Sequence, residues 1–242
     1  VIFSAHGVPK SVPKEAENRK MFYIDATCPL VTKVHKESER HYKNGYQVIL
    51  VGHKGHPEVI GTMGQLPEGS IKLIETYKDA EKLEVINHKI PLAFVTQTTL
   101  SKRDVAESVG KIRNQYPDAI VRDDICYAVS NRQDAVVELI ERGADVVLVL
   151  GSKESSNSVR MKEVAENLGV TAYLLLDANE FTLPMITSST CVGVSAGAST
   201  PEAVVDEMLK VLQRNLGVQP EVVEVADESS VVFTDAKRLW VE

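Results

Sequence analysis

The residues able to do chemistry here are two cysteines, one carboxylate and a set of hydroxyls, imidazoles and amides at matched positions. Cys28 lies in Tyr23-Ile-Asp-Ala-Thr-Cys-Pro-Leu-Val-Thr-Lys-Val-His35. The apolar run from Met21 to Ile24 reads as a short strand, and Asp25 and Thr27 suit a strand-to-helix turn. Pro29 suits the first turn of a helix, where its missing N–H costs nothing. A helical pattern continues through Val31, Val34 and Lys36–Arg40. Cys28 is thereby placed at a helix N-terminus, where the dipole and free N–H groups favour a thiolate that can be a ligand or a nucleophile.

Cys126 repeats the plan. Val121-Arg-Asp-Asp-Ile-Cys-Tyr-Ala-Val-Ser-Asn131 gives an apolar strand, an acidic turn, the cysteine, then a helix from about Asn131 to Arg142. A lone cysteine is more often a small buried hydrophobe. Two at equivalent places in two repeats argue for a shared chemical task.

The elements that must position these residues also repeat. The strand Gln47–Val51 runs into Gly52-His-Lys-Gly-His-Pro-Glu58, and Asp145–Leu150 runs into Gly151-Ser-Lys-Glu-Ser-Ser-Asn157. Cys28 precedes Gly52 by 24 positions, and Cys126 precedes Gly151 by 25. Leu92-Ala-Phe-Val-Thr-Gln-Thr-Thr99 and Cys191-Val-Gly-Val-Ser-Ala-Gly-Ala-Ser-Thr200 then end alike in small polar residues. This periodicity predicts two copies of one α/β unit. Val1-Ile-Phe-Ser-Ala-His-Gly7 matches the last element and reads as the tail of an earlier copy, so a third unit with its own cysteine is expected upstream of Val1.

Helical segments Lys102–Gln115, Asn131–Arg142, Asn157–Leu168 and Pro201–Leu216 alternate with the strands, which predicts βαβ units and parallel sheets. Ligands of such sheets sit beyond the carboxyl ends of the strands. The polar clusters fall at those ends: His6, Cys28, His56 with Glu58, Gln97 with Thr98 and Thr99, Cys126, Ser155 with Ser156 and Asn157, and Ser199. Any single Ser or Thr there serves equally well as a loop or cap residue. Together, hydroxyls, an amide, imidazoles and helix N-termini make an anion site with few formal cations, fit for a phosphate or diphosphate. Glu58 is the one obvious acid among them. Facing anionic oxygens would raise its pKa and suit it to proton delivery; the plainer alternative is a solvated carboxylate in a helix first turn. His35, His41 and His88 read as structural.

Composition bounds the class. A chain of 242 residues, 43% hydrophobic and 25% charged, is globular. A net charge of −7 argues against a general nucleic-acid or membrane-surface binder, and no apolar run is long enough to span a bilayer. Three cysteines make an odd count, against a disulfide framework and for a reducing compartment. The zinc spacings are missing apart from His53 and His56. Two thiolates from separate repeats, with a third implied, fit an iron–sulfur cluster with one open iron better.

Phe3-Ser-Ala-His-Gly7, Asp25-Ala-Thr-Cys-Pro-Leu-Val31, Gly55-His-Pro-Glu58, Thr96-Gln-Thr-Thr-Leu100, Asp124-Ile-Cys-Tyr-Ala128 with Asn131-Arg-Gln133, Ser155-Ser-Asn-Ser158 and Ala196-Gly-Ala-Ser199 resemble the motifs of the hydroxymethylbutenyl diphosphate reductase (LytB) family. The resemblance implies reductive removal of a hydroxyl from an allylic diphosphate, giving isopentenyl and dimethylallyl diphosphates, with a 4Fe–4S cluster as cofactor. It implies Cys28 and Cys126 as two of three cluster ligands, and His6, His56, Thr98, Ser155, Ser156, Asn157 and Ser199 as substrate contacts. Glu58 and Thr98 become the catalytic pair. A ferredoxin or flavodoxin type electron donor is implied, with the cytoplasm, or a plastid stroma in a plant, as the location.

The implied fold is α/β, a pseudo-threefold arrangement of repeat domains with small, mainly parallel sheets around a central site. Residues 1–26 would be a remnant of the first domain, 27–124 the second, 125–212 the third, and 213–242 a segment returning to the first. The family's third cysteine, in a Gly-Phe-Cys motif, is absent from this sequence; Cys191 is expected in the core and is no substitute for it. Two alternatives remain. One is a non-catalytic diphosphate-binding fragment or paralogue. The other is a phosphatase built on the Cys-x5-Arg spacing of Cys126 and Arg132, which lacks the glycines of a phosphate loop.

Overall fold

A computed structural model of the chain describes residues 1–76, 78–79, 90–122, 124–228, 231 and 238–239. His88 lies outside the described residues. The chain divides into two compact units, residues 1–125 with 231–242, and residues 126–230.

The first unit holds two sheets. The smaller pairs β1 (Ile2–Phe3) parallel to β2 (Tyr23–Asp25), with β10 (Arg238–Leu239) antiparallel on the other side of β2. The Phe3 and Tyr23 rings stack at 4.6 Å and, with Ala16 of α1 (Ser11–Asn18), make its small core. The larger sheet has the order β4 (Ile71–Ile74), β3 (Gln47–Val51), β5 (Leu92–Thr96), β6 (Ile120–Val121), all parallel. β3 and β5 are buried at every position, which is why they read as continuous apolar runs rather than alternating ones. Ile49, Val51 and Phe94 face one core, with Val105 and Ile112 of α4 (Lys102–Gln115). Val48, Leu50 and Val95 face another, with Val34 of α2 (Pro29–Lys43) and Val59 of α3 (Pro57–Met63). In α2, Val31, Val34, His35, Ser38 and His41 form the buried stripe, at the spacing of a helix packed on one face.

The second unit repeats the larger sheet. Its order is β8 (Thr171–Leu175), β7 (Val146–Leu150), β9 (Val192–Ala196), again parallel. Val147 and Val149 pack with Val136 of α5 (Tyr127–Glu141) and Met161 of α6 (Ser156–Asn167). Leu148 and Leu150 pack on the other face with Met208 and Leu212 of α7 (Glu202–Leu216). The correspondence reaches single bonds at the carboxyl ends. Gly52 N–H donates to Ile74 O and Gln97 N–H to Val51 O; Gly151 N–H donates to Leu175 O and Gly197 N–H to Leu150 O. The architecture is α/β with small parallel sheets, as the alternating pattern predicts.

Two expectations need correction. The helix after Cys126 starts at Tyr127, four residues earlier than predicted. Asn131 lies inside that helix; its amide donates to Glu228 at 2.9 Å, and Ser130 Oγ bonds back to Tyr127 O. Cys191 is exposed, not core. It precedes β9 at the amino end of the sheet, where its N–H is held by Asp145 Oδ1 at 3.2 Å.

Candidate active site

In the first unit, the five predicted site residues His6, Cys28, His56, Glu58 and Thr98 lie on connected elements. Ser4–Gly7 is a turn closed by Gly7 N–H to Ser4 O at 3.0 Å, and it carries an exposed His6. His56 is the N-cap of α3, with Pro57 at the first helical position. Its Nδ1 accepts the N–H of Glu58 at 3.2 Å. The His6 and His56 rings meet edge to face, centroids 5.4 Å apart. Burial, reinforced by His6 and His53 nearby, pushes the His56 pKa down to about 4, so this ring is neutral near pH 7.

Glu58 is 1% exposed. The N–H of Thr98 donates to its Oε1 at 2.7 Å and the Thr98 hydroxyl to its Oε2 at 2.9 Å. Burial pushes its pKa up to about 7; the two Thr98 bonds oppose that, and the charge of Asp124 adds to it. A buried acid poised at neutrality and bonded to a hydroxyl at a strand's carboxyl end is an arrangement for holding and passing a proton. The raised pKa anticipated from facing anions arises here from burial itself. Gln97, buried beside them, accepts the N–H of His53 at 3.0 Å and donates to Thr99 Oγ1 at 2.8 Å, tying two strand-end loops together.

Cys28 is the N-cap of α2 and is half-buried. Its N–H donates to Ala5 O at 3.0 Å, which joins the start of this helix to the His6 turn. Asp25 shapes the approach, accepting the Thr27 N–H at 3.0 Å and the Thr27 hydroxyl at 2.6 Å.

Asp124 has a structural part that residue types alone do not show. Its N–H donates to Thr96 Oγ1 at 3.0 Å, and Thr96 N–H reaches its Oδ2 at 3.4 Å. This reciprocal clamp, with Arg122 at 3.2 Å, fixes the end of β5 two residues before Thr98. Burial raises the Asp124 pKa, opposed chiefly by Arg122.

In the second unit, Cys126 is the N-cap of α5, half-buried like Cys28. Ser155 is the N-cap of α6; its Oγ accepts from Ser158 N at 3.4 Å and Ser158 Oγ at 3.1 Å, so its capping role is real. A Cβ on Gly151 or on Gly197 would stand 2.2 Å from Ser158 Oγ. The first turn of α6 therefore lies against the ends of both β7 and β9. Thr200, whose hydroxyl donates to Leu150 O at 2.9 Å, holds the turn that carries the exposed Ser199. Ser156 is half-buried in the same first turn. Asn157 is 6% exposed, and neither its amide oxygen nor its amide nitrogen has a hydrogen-bond partner among the described residues. Unpaired buried amides are costly, and they are kept where a ligand engages them.

The phosphatase alternative fails on geometry. Residues 127–132 are helix, so backbone N–H groups beyond the first turn are spent within it and no phosphate loop forms. Arg132 is directed to Ala128 O at 3.2 Å and Glu228 at 3.6 Å.

Among the described residues, no group of three or more His, Cys, Asp or Glu side chains is arranged to hold a metal ion. None of the three cysteines forms a disulfide. Cys28 and Cys126 are each half-buried at a helix N-terminus, and soft sulfur suits iron–sulfur centres. Each residue by itself fits the part of a ligand to such a centre.

Comparison with known proteins agrees with this geometry. The family model described as LytB protein matches residues 1–213. A 4-hydroxy-3-methylbut-2-enyl diphosphate reductase of Beijerinckia indica subsp. indica is 51% identical over 231 residues, 94% of this chain and 72% of that protein. The protein of the same name from Hyphomonas neptunium is 50% identical over 95% of this chain and 73% of its own length. Among solved structures, the E-1-hydroxy-2-methyl-but-2-enyl-4-diphosphate reductase of Plasmodium falciparum superposes with a TM-score of 0.83 at 34% identity. That match covers 88% of this chain, and the chain spans 66% of the Plasmodium protein. With a family model over most of its length and relatives at half identity, the chain belongs to the LytB protein family.

Proposed function

We propose that the protein is an oxidoreductase of isoprenoid biosynthesis. It reductively removes the hydroxyl of 4-hydroxy-3-methylbut-2-enyl diphosphate to give isopentenyl and dimethylallyl diphosphates. The observation that carries this reading is the buried Glu58 bonded through both oxygens to Thr98, beside the His6–His56 pair. Membership of the family, and the names of its relatives, support the substrate.

The residues read as diphosphate ligands are His6 and His56 in the first unit and Ser155, Ser156, Asn157 and Ser199 in the second. Asn157 contributes a buried amide that gains its first partners from the ligand. Cys28 and Cys126 are two thiolate ligands of a 4Fe–4S cluster. When bound, the cluster supplies electrons and the Lewis acidity of an open iron. In the balanced reaction two electrons and two protons enter, the C–O bond breaks, water leaves and a C–H bond forms. Thr98 lies in reach of the departing hydroxyl. Protonated Glu58 gives its proton to Thr98 Oγ1, and Thr98 passes its own onward, a relay that a carboxyl of pKa about 7 can both load and discharge near neutral pH. A small ferredoxin or flavodoxin delivers the electrons, and the cytoplasm is the site of action. The parts 1–26, 27–124, 125–212 and 213–242 remain our division of the chain.

The full-length protein, supplied anaerobically with iron and sulfide, is expected to turn brown and to convert the allylic diphosphate with a chemical reductant. Diphosphate binding without colour or turnover would replace this reading with that of a non-catalytic diphosphate-binding paralogue.

A further inference from the structure

Helix α3 begins with His56 and Glu58, and its other end grips the segment that follows His6. Gln65, two residues past the end of α3, donates both amide hydrogens: one to Val8 O at 2.8 Å and one to Gly61 O at 2.8 Å. Lys10 N–H donates to Gly64 O at 3.1 Å. The backbones approach closely because two glycines allow it. A Cβ on Gly61 would stand 3.0 Å from the Gly7 carbonyl, and one on Gly64 would stand 2.3 Å from Pro9 Cβ. On its other side Gly7, at φ +76°, faces His35, whose Cε1 would be 2.6 Å from any Cβ placed there. The turn bearing His6 is thus wedged between α2 and α3, with Gln65 as the side chain that fastens it to α3.

We propose that Gln65 is a positioning residue: its two hydrogen bonds clasp the segment after His6 onto α3 and thereby set His6 against His56 for anion binding. The proposal rests on the reading of His6 as a diphosphate ligand. An ordinary tertiary anchor would make the same bonds, but it would add its effect to any other change. A positioning residue acts only through the group it positions, so its effect vanishes once that group is removed.

The test is a double-mutant cycle with inorganic diphosphate, read by titration calorimetry on wild type, Gln65→Leu, His6→Ala and the double variant. Gln65→Leu keeps the bulk and removes both donors. It is expected to weaken binding about fivefold or more in the wild-type background and to change nothing further in the His6→Ala background. Should Gln65→Leu not fold, Gly61→Ala displaces the Gly7 carbonyl by another route and enters the same cycle. Equal weakening in both backgrounds, or none in either while His6→Ala weakens binding, overturns the positioning role alone. Unchanged binding in His6→Ala overturns the anion reading of His6, and the proposal with it.

Discussion

Glu58 and Thr98, 40 positions apart in the chain and both buried, are joined by two hydrogen bonds of 2.7 and 2.9 Å. Each oxygen of the carboxyl has its own Thr98 partner, so the acid is oriented as well as desolvated. Glu58→Gln keeps the shape and a hydrogen-bonding group but delivers no proton. Turnover is expected to fall roughly 10²-fold or more with the Michaelis constant little changed, measured in single turnovers with a chemical reductant. Because the protonated form acts, the wild-type rate should decline as pH rises through about 7, and the residual Gln rate should lack that limb.

The same carboxyl has a stability consequence. Its pKa is raised from 4.5 to about 7, so the folded state binds a proton that the unfolded state has released between those values. Its contribution is complete below pH 4.5 and is lost as pH climbs through 7. At pH 8 Glu58→Gln should therefore be more stable than wild type, by on the order of 3 kcal/mol at most. Urea unfolding at pH 5 and pH 8 checks the sign: a gain at pH 5 as large as that at pH 8 would refute it.

The cysteines separate by place. Cys28→Ser or Cys126→Ser is expected to abolish or destabilise the visible absorption of the anaerobically reconstituted full-length protein, since each removes a sulfur at a helix N-terminus. Cys191→Ser, exposed at the amino end of its sheet, should leave the spectrum intact. A brown protein in both of the first two variants would sink the ligand assignment.

Asn157→Ala should act in opposite directions with and without ligand. Without ligand it removes an unpaired buried amide, so thermal stability should hold or rise. With inorganic diphosphate, loss of a hydrogen bond to a charged group costs on the order of 2 kcal/mol, so affinity should weaken tenfold or more. Thermal shift with and without diphosphate reads both. Equal shifts in wild type and variant would leave Asn157 a structural residue.

Asp145 makes an acid-sensitive prediction away from the site. Its carboxylate accepts from the Ser189 hydroxyl, from Thr190 N–H and Oγ1–H at 2.8 Å each, and from Cys191 N–H. These donors hold its pKa well below the usual carboxylate range. A depressed pKa stabilises above the unfolded value and loses that stabilisation as pH falls. Asp145→Ala should thus lower the melting temperature at pH 7, and the gap should close in strong acid.

What could be read in advance was whatever neighbours along the chain decide. Pro29 after Cys28 marks a helix start, the apolar run Gln47–Val51 is a strand residue for residue, and the stretch Leu92–Thr99 opens with the strand Leu92–Thr96. Hidden from such reading were contacts whose partners lie far off in sequence. Glu58 looks like a first-turn carboxylate until Thr98 is brought to it. Asn131 marks no helix start, and its amide is taken by Glu228, 97 positions on. Strands β4 and β8 carry half-exposed residues among apolar ones and give a weaker pattern than the fully buried strands beside them. Gln65 carries no mark at all, because its importance depends on where Val8 lies.

His56 has one further consequence. Its Nδ1 accepts the Glu58 N–H, so the ring's proton sits on Nε2, and the ring brings no formal charge to an anion. An uncharged donor of this kind gains little from long-range attraction and loses little when ions in solution screen it. The factor by which His56→Ala weakens diphosphate binding should then stay nearly flat as sodium chloride rises from low to physiological concentration. In that respect the ring parts company with lysine and arginine, whose hold on phosphate slackens as salt is added.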